Sequence, residues 1–421
     1  GWAGLGFPEK FGGQGMPKLV ATAVDEVWQS SNLGLSLCSL LTHGAVEALL
    51  LHGSPELQDA YLPRLVSGEW TGTMNLTEPQ AGSDLAAVNT RAVPEGDHYR
   101  VTGQKIFITW GDHQMTDNVI HLVLARLPDA PAGVRGISLF LVPKFLLDAS
   151  GECAERNDVH CVSIEHKLGI HGSPTCVMSF GDKGGAVGYL VGEPNRGLMA
   201  MFTMMNDARQ AVGLQGLSVS ERSYQQALGW AKERLQGTRS DGSRYPIIEF
   251  PDVRRMLMLM RAGTEAMRGL AYIASAEIDR SRLAADDESR ARHHARVDLY
   301  TPIVKGWLTE MSQELTSLGI QIHGGMGYVE ETGSAQFYRD ARITTIYEGT
   351  TGIQANDLVG RKTLADGGVA LGAMLQDMQS TADALNDSDE LSDIGQALQS
   401  GVDTAMEAMQ WLIAHAGESR E

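Results

Sequence analysis

The stretch ITTIYEGTTGIQ, residues 343–354, sets one carboxylate, Glu348, inside a run of isoleucines, hydroxyls and glycines. Ile343, Ile346, Ile353 and Tyr347 mark the segment as packed, and Gly349 and Gly352 mark a backbone held in an unusual conformation. An acid there raises the free energy unless it is paired, hydrogen-bonded or used for proton transfer. Arg339, Asp340 and Arg342 stand just upstream, so a structural ion-pair network is one reading. The other is a general base whose proton affinity is set by burial.

Three other stretches carry candidate chemistry. MNLTEPQAGSD (74–84) places Thr77, Glu78 and Ser83 around Pro79 and Gly82. Hydroxyls and backbone N–H groups in such a turn can hold a ring edge or a phosphate, or simply cap the turn. GQKIFITWGD (103–112) ends a β-like run in Thr109 beside Trp110, where a hydroxyl can meet a planar heterocycle or serve packing alone. IQIHGGMGYVEETG (320–333) has glycines, but in neither the GxGxxG nor the GxxxxGK[ST] order, so it signals neither a Rossmann unit nor a P-loop. Gly324 and Gly325 can end the preceding helix there, and His323, standing alone, reads as core or cap before ligand. The chain contains no HExxH, no metal-spaced Cys/His set and no GxSxG elbow, so hydrolase and metalloenzyme readings lose their usual support and no metal site is expected.

The elements that must position these residues follow from period and punctuation. Helical spacing runs over 24–41 and 45–65, with Gly-Ser-Pro at 53–55. From about 71 to 192 the runs become short and β-like, at 99–109, 118–126, 136–143 and 176–182, as in an antiparallel sheet or barrel. Helical spacing returns over 199–235, 252–282, 291–322 and 351–364, lengths that suit a bundle, with polar connectors GTRSDGSRYP and AADDES at its turns. A tail from 365 reads as an amphipathic helix, an acidic turn and another helix. The expected class is α+β, mainly α: a helical domain (1–72), a middle β-domain (73–192), a four-helix bundle (193–364) and a helical extension (365–421).

The 421 residues carry a net charge of −18, which argues against nonspecific binding to nucleic acid or an anionic membrane surface. Any anionic ligand therefore needs a local basic pocket. Four cysteines without a CxxC pair fit a reducing compartment. No run approaches the roughly 18 apolar residues of a membrane span. The opening GWAGLGFPEKFGGQG has no initiator Met and reads like the middle of a protein, so a missing N-terminus is expected. Without a visible targeting segment, the expected location is the cytoplasm, or the mitochondrial matrix in a eukaryote.

LTEPQAGSD, GQKIFIT, IQIHGGMGY and IYEGTTGIQ together, in order and spacing, resemble the acyl-CoA dehydrogenase superfamily across residues 1–364. The long 143–164 connector and the tail resemble the subgroup with an extra C-terminal helical domain, which includes long-chain and methylthiopropionyl-CoA dehydrogenases. The resemblance implies FAD, an acyl-CoA thioester, and Glu348 as the base that removes the α-proton while the β-hydride goes to the flavin. It implies that the glutamate's own N–H helps hold the thioester oxygen, with Gly349 allowing close approach. Leu76, Thr77, Ser83 and Thr109 resemble flavin contacts, and Gln321, Gly324 and Gly325 resemble a loop touching the FAD of a neighbouring subunit. Thr350 and Gln354 resemble diphosphate and adenosine contacts, and Arg209 resembles an arginine close to the catalytic acid. A homodimer or homotetramer and an electron-transferring flavoprotein as partner are implied as well.

Some positions depart from the family pattern. Met74 stands where an aromatic is frequent, Phe107 where a Trp is, and ERLQGT replaces ERxxFG, which weakens any carry-over to Arg234. An acyl-CoA oxidase would share every motif. Nitroalkane oxidases use an aspartate base, against Glu348, and the flavin-bearing DNA-binding branch needs a basic tail, whereas DSDELSD is acidic. Intact Glu348 and Thr109 argue against a silent scaffold.

Overall fold

Asn32 divides the first helical run. Its side chain accepts the Leu35 N–H at 3.0 Å, so α1 (Lys18–Ser31) ends and α2 (Leu33–His52) begins there. Ser54 then caps α3 (Pro55–Ser67), with proline in its first turn. The region thus holds three helices where spacing alone gave two, because the Asn32 cap interrupts an apolar pattern that otherwise continues. The computed structural model describes residues 1–417.

The middle domain contains β1 (Trp70–Asn75), β2 (Arg91–Glu95), β3 (His98–Thr109), β4 (Asn118–Arg126), β5 (Ile137–Pro143), the short β6 (Phe145–Leu147) and β7 (Cys153–Arg156), β8 (Val159–Ile164), β9 (Thr175–Phe180) and β10 (Ala186–Val191). The main sheet runs β1-β4-β5-β10-β3-β9-β8. Along that order the pairs are antiparallel except β1 on β4, which register Trp70 with Asn118 in parallel. β2 pairs with β3 and touches β4 at Arg91 and Arg126, closing β4, β5, β10, β3 and β2 into a ring. Val101, Val123, Phe140 and Phe180 fill one side of these strands. The other side, with Leu122, Leu139 and Trp70, packs on α2 and the start of the bundle.

The bundle begins with α4 (Gly197–Glu233), crosses a small hairpin of β11 (Leu235–Thr238) and β12 (Arg244–Pro246), and continues through α5 (Pro251–Leu283) and α6 (Asp287–His323). α7 (Ser334–Arg342) and α8 (Thr351–Asn356) follow, and a π-helical turn, Asp357–Thr363, continues α8. The expected fourth long helix is therefore short. α9 (Val369–Asn386) and α10 (Ser392–Ala414) form a helical hairpin, and Arg296 of α6 pairs with Asp377 of α9.

α4 lies close against α6. A Cβ on Gly213 would fall 2.5 Å from Val304 Cγ1 and 2.9 Å from its carbonyl oxygen, and one on Gly216 2.7 Å from the Leu308 oxygen. Glycine is thus required there by space. α2 is long and apolar enough to cross a membrane by length and composition alone, yet 72% of its apolar window is buried inside the fold, as in a core helix. Ser, Thr, His and Gly punctuate that run and hide its mean hydropathy from a search for unbroken apolar stretches. Replacing Gly213 by alanine should push α4 off α6 and destabilise the protein by about 1–3 kcal/mol, read from chemical unfolding.

Candidate active site

Glu348 sits where α7 gives way to α8. Ile343–Thr345 forms a 3₁₀ turn, after which Glu348 adopts φ 54° and Gly349 φ 86°. The left-handed region is unfavourable by about 1 kcal/mol or more for a residue with a Cβ. Gln354 on α8 holds the turn: its Nε2 donates to the Glu348 carbonyl at 3.2 Å and to the Gly349 carbonyl at 3.3 Å. A Cβ on Gly349 would come within 2.7 Å of that nitrogen. Thr350 caps α8 by accepting the Ile353 N–H. Among the described residues no acceptor takes the Glu348 N–H, and the side chain has no counter-ion within 4.0 Å.

Three elements converge on this carboxyl. From α4, Arg209 is buried and Nη1 meets Asp357 Oδ2 at 2.9 Å. From α6, Lys305 is fully buried with no partner for Nζ. Tyr347 donates its hydroxyl hydrogen to Gln215 of α4. The Glu348 side chain keeps some access to solvent yet is set deep among protein atoms. Burial raises its pKa to about 7, against the opposing pull of Arg209 and then Lys305. Burial likewise pulls Lys305 down to about 8, opposed by Glu348. Arg209 Nε, Gln215 Nε2, Gln313 Oε1 and Gln354 Oε1 are buried without partners. Such atoms call for water or ligand groups nearby.

A second cluster shapes the far side of the middle domain. Lys105 Nζ donates to the Leu76 carbonyl at 2.9 Å and to Glu78 at 2.8 Å, and Ile106 N–H to the Thr77 carbonyl at 2.9 Å. Glu78 also accepts from Asn89 and Thr90. Burial alone would raise its pKa, but Lys105 and these donors hold it below the usual carboxylate value. The 76–78 loop is thereby fastened to β3. β3 shifts register against β9 between Lys105 and Ile108, and Phe107 (φ 60°) swings out to 59% exposure. Half-buried Thr77 and Thr109 stand on this edge, with Leu76 beneath and Trp110 buried at the strand end.

The residues singled out in the sequence thus fall into three places. Glu348, Gly349, Arg209 and Gln354 share one neighbourhood, with Gln354 turned inward onto the backbone, while Thr350 faces outward at the α8 cap. Leu76, Thr77 and Thr109 gather at the β3 bulge, and exposed Ser83 follows the 76–78 loop in sequence. Gln321 lies exposed on the last turn of α6, and Gly324 and Gly325 on the 3₁₀ turn that follows it with Met326 and Tyr328, the last 86% exposed. His323 is a core residue whose Nδ1 donates to Gly319 and whose ring stacks on Trp230. Arg234 lies over the Trp230 ring. Sequence reasoning missed Lys305, Gln215 and Asp357; all stand on helices whose period gives no hint of charge burial.

A helical, β, helical chain that sets a desolvated glutamate on a strained turn against a helical bundle has the layout of one class of flavoenzymes. The chain belongs to the acyl-CoA dehydrogenase family. Its N-terminal, middle and C-terminal domain models match residues 1–69, 73–183 and 195–362. A 3-methylmercaptopropionyl-CoA dehydrogenase of Ruegeria pomeroyi is 54% identical over 372 residues, covering 87% of this chain and 63% of the relative. A short-chain-specific acyl-CoA dehydrogenase of Clostridium acetobutylicum is 31% identical, covering 84% of this chain and 85% of the relative. A Caenorhabditis elegans structure in complex with C11-CoA superposes at TM-score 0.84 and 25% identity, over 100% of this chain and 69% of that one. The chain spans 58% to 64% of the length of the longer curated relatives.

FAD is the cofactor of this family, and the β3 edge fits it. The half-buried hydroxyls of Thr77 and Thr109 flank the β3 bulge, where Phe107 is exposed, a surface that can meet the polar side of a planar ring. A Cβ on Gly82, Gly324 or Gly325 would meet nothing within 4 Å, leaving backbone open to a ligand.

Two stability outcomes follow. Lys105→Met leaves Glu78 buried without its cation and should destabilise the fold by about 3–5 kcal/mol in urea unfolding. Glu348 has its folded pKa raised from 4.5 to about 7, so stability present below pH 4.5 is lost as pH rises through about 7. Glu348→Gln, which stays neutral, should melt like wild type at acid pH and progressively higher than wild type as pH rises, reaching its full advantage above pH 7.

Proposed function

We propose that this protein converts an acyl-CoA thioester to the trans-2-enoyl-CoA, with Glu348 as the base that removes the α-proton. The observation that carries this reading is the coincidence at Glu348 of a carboxyl desolvated to a pKa of about 7 and a backbone N–H without an acceptor. A thioester α-C–H is a very weak acid, so a base of this strength needs the enolate oxygen stabilised at the same moment. The free Glu348 N–H supplies a donor within the residue that takes the proton. Gly349 keeps side-chain bulk away from the approaching thioester, and Gln354 fixes the orientation of both carbonyls.

FAD, when bound, supplies the two-electron acceptor for the β-hydride. Leu76, Thr77, Ser83 and Thr109 would hold its ring system. Gln321, Gly324 and Gly325 would reach the FAD of a second subunit, which makes the active assembly a homodimer or a dimer of dimers. Thr350 would face the diphosphate. Gln354 would act on the catalytic turn, since its side chain is committed there. Arg209, neutralised by Asp357, would shape the space beside the base. Electrons would pass to an electron-transferring flavoprotein. Among acyl groups, the short sulfur-bearing chain named for the Ruegeria relative is the first candidate, given 54% identity.

The test is an anaerobic titration of FAD-loaded protein with acyl-CoAs from short to long, methylmercaptopropionyl-CoA included. Flavin bleaching by the short sulfur-bearing thioester is the expected result, and bleaching that persists on readmitting air favours a dehydrogenase over an oxidase. In Glu348→Gln, FAD content should be unchanged and the rate of flavin reduction lower by about 10²–10⁴-fold. Wild-type reduction by that variant refutes the assignment of the base.

A further inference from the structure

The ammonium of Lys305 is the least explained charge in the protein. Its side chain is fully buried on α6, Nζ has no hydrogen-bond partner, and no carboxylate lies within 4.0 Å of it among the described residues. A buried cation left this way is strongly unfavourable unless the site uses it. Arg209 differs, because Asp357 neutralises it at 2.9 Å. The uncompensated positive charge facing Glu348 therefore belongs to Lys305.

Its placement is set by packing on both sides. One residue on, Gly306 packs on α8, where a Cβ would lie 3.6 Å from the Gln354 Cβ, and Gln354 holds the Glu348 carbonyl. One residue back, Val304 fills the approach to Gly213 of α4. Lys305 is wedged between the helix that carries Arg209 and the helix that clamps the base. We propose that Lys305 is a positioning residue: its unneutralised ammonium keeps Glu348 as the proton-accepting carboxylate, from a distance too long to tie the carboxylate up in an ion pair. This role rests on Glu348 being the α-proton base.

The charged and titratable groups around this space are Arg209 on α4, Lys305 and Glu310 on α6, Tyr347 in the loop, and Asp357 and Arg361 beyond α8. Glu310 bonds to Thr351 at 2.5 Å and acts on Lys305 less than Glu348 does. Burial is the largest influence on both Lys305 and Glu348, and each opposes that influence in the other. Once Glu348 has taken a proton, the same ammonium faces a neutral acid and favours return of that proton to solvent after product leaves.

The experiment compares FAD-loaded Lys305→Met and Lys305→Arg with wild type in anaerobic stopped-flow flavin reduction across the neutral and alkaline range. In Lys305→Met the acid limb should move up by about one pH unit, with the rate largely regained at high pH, while Lys305→Arg keeps the wild-type limb. An unmoved limb in folded, flavin-loaded Lys305→Met overturns the role. Should that variant not fold, the reciprocal measurement decides: Lys305 labelled at Cε is titrated by NMR in wild type and in Glu348→Gln. Coupling is mutual, so the amine should titrate lower once the carboxylate is gone, and identical titrations overturn the role. No thioester enters that measurement, so coupling in a protein that oxidises no acyl-CoA would count against the dehydrogenase reading alone.

Discussion

Burial and charge act on Glu348 in opposite directions, and the rest of the structure is arranged around that opposition. Desolvation alone would leave the group a neutral acid, unable to accept a proton, whereas free exposure would leave it an ordinary carboxylate too weak to be useful. Arg209 and Lys305 pull the other way, and the result is a group poised near neutrality. The opposition depends on two helices approaching closely enough to exclude water. Gly213 and Gly216 permit that approach, since any Cβ at either place would meet the backbone of α6. Packing in the bundle therefore helps to set the proton affinity of Glu348.

The β-domain solves a different problem, which is to present hydroxyls on an edge without letting that edge move. The Lys105–Glu78 pair lies inside, with four further donors on the carboxylate, and it ties the 76–78 loop to β3 where the strand bulges. The bulge puts Phe107 outward and leaves Thr109 half-buried at the strand end. Neither ion pairing nor strain there serves chemistry directly. Both fix the edge against which a flat ligand can lie.

Much of this was legible in the sequence, and what was not has physical causes. Glu348 stood out because an acid in an apolar, glycine-rich run is itself an anomaly. The strands over 99–109 and 118–126 emerged from composition, whereas β1, β8 and β10 are short and carry glycine or polar residues that break their pattern. Lys305 was invisible because YTPIVKGWL reads as an ordinary helix with one exposed lysine; only the approach of α4 and α8 buries it. Gln354 was expected to face the cofactor, yet its side chain nitrogen turns inward onto the carbonyls of Glu348 and Gly349. A side chain's direction depends on backbone angles at Glu348 and Gly349 that residue types only hint at.

The strain at Glu348 links these layers. A non-glycine residue at φ 54° holds its position only if neighbouring bonds over-determine it, and Gln354, the α8 cap and the Tyr347 bond to Gln215 do so from three directions. The conformation that leaves the Glu348 N–H without an acceptor is the same one that turns its carboxyl toward the buried cations. The proposed base and its proposed oxyanion donor are thus parts of one residue in a single strained geometry. In the proposed reaction, proton removal and enolate stabilisation would both depend on this one turn, which α4 and α8 hold through Gln215 and Gln354.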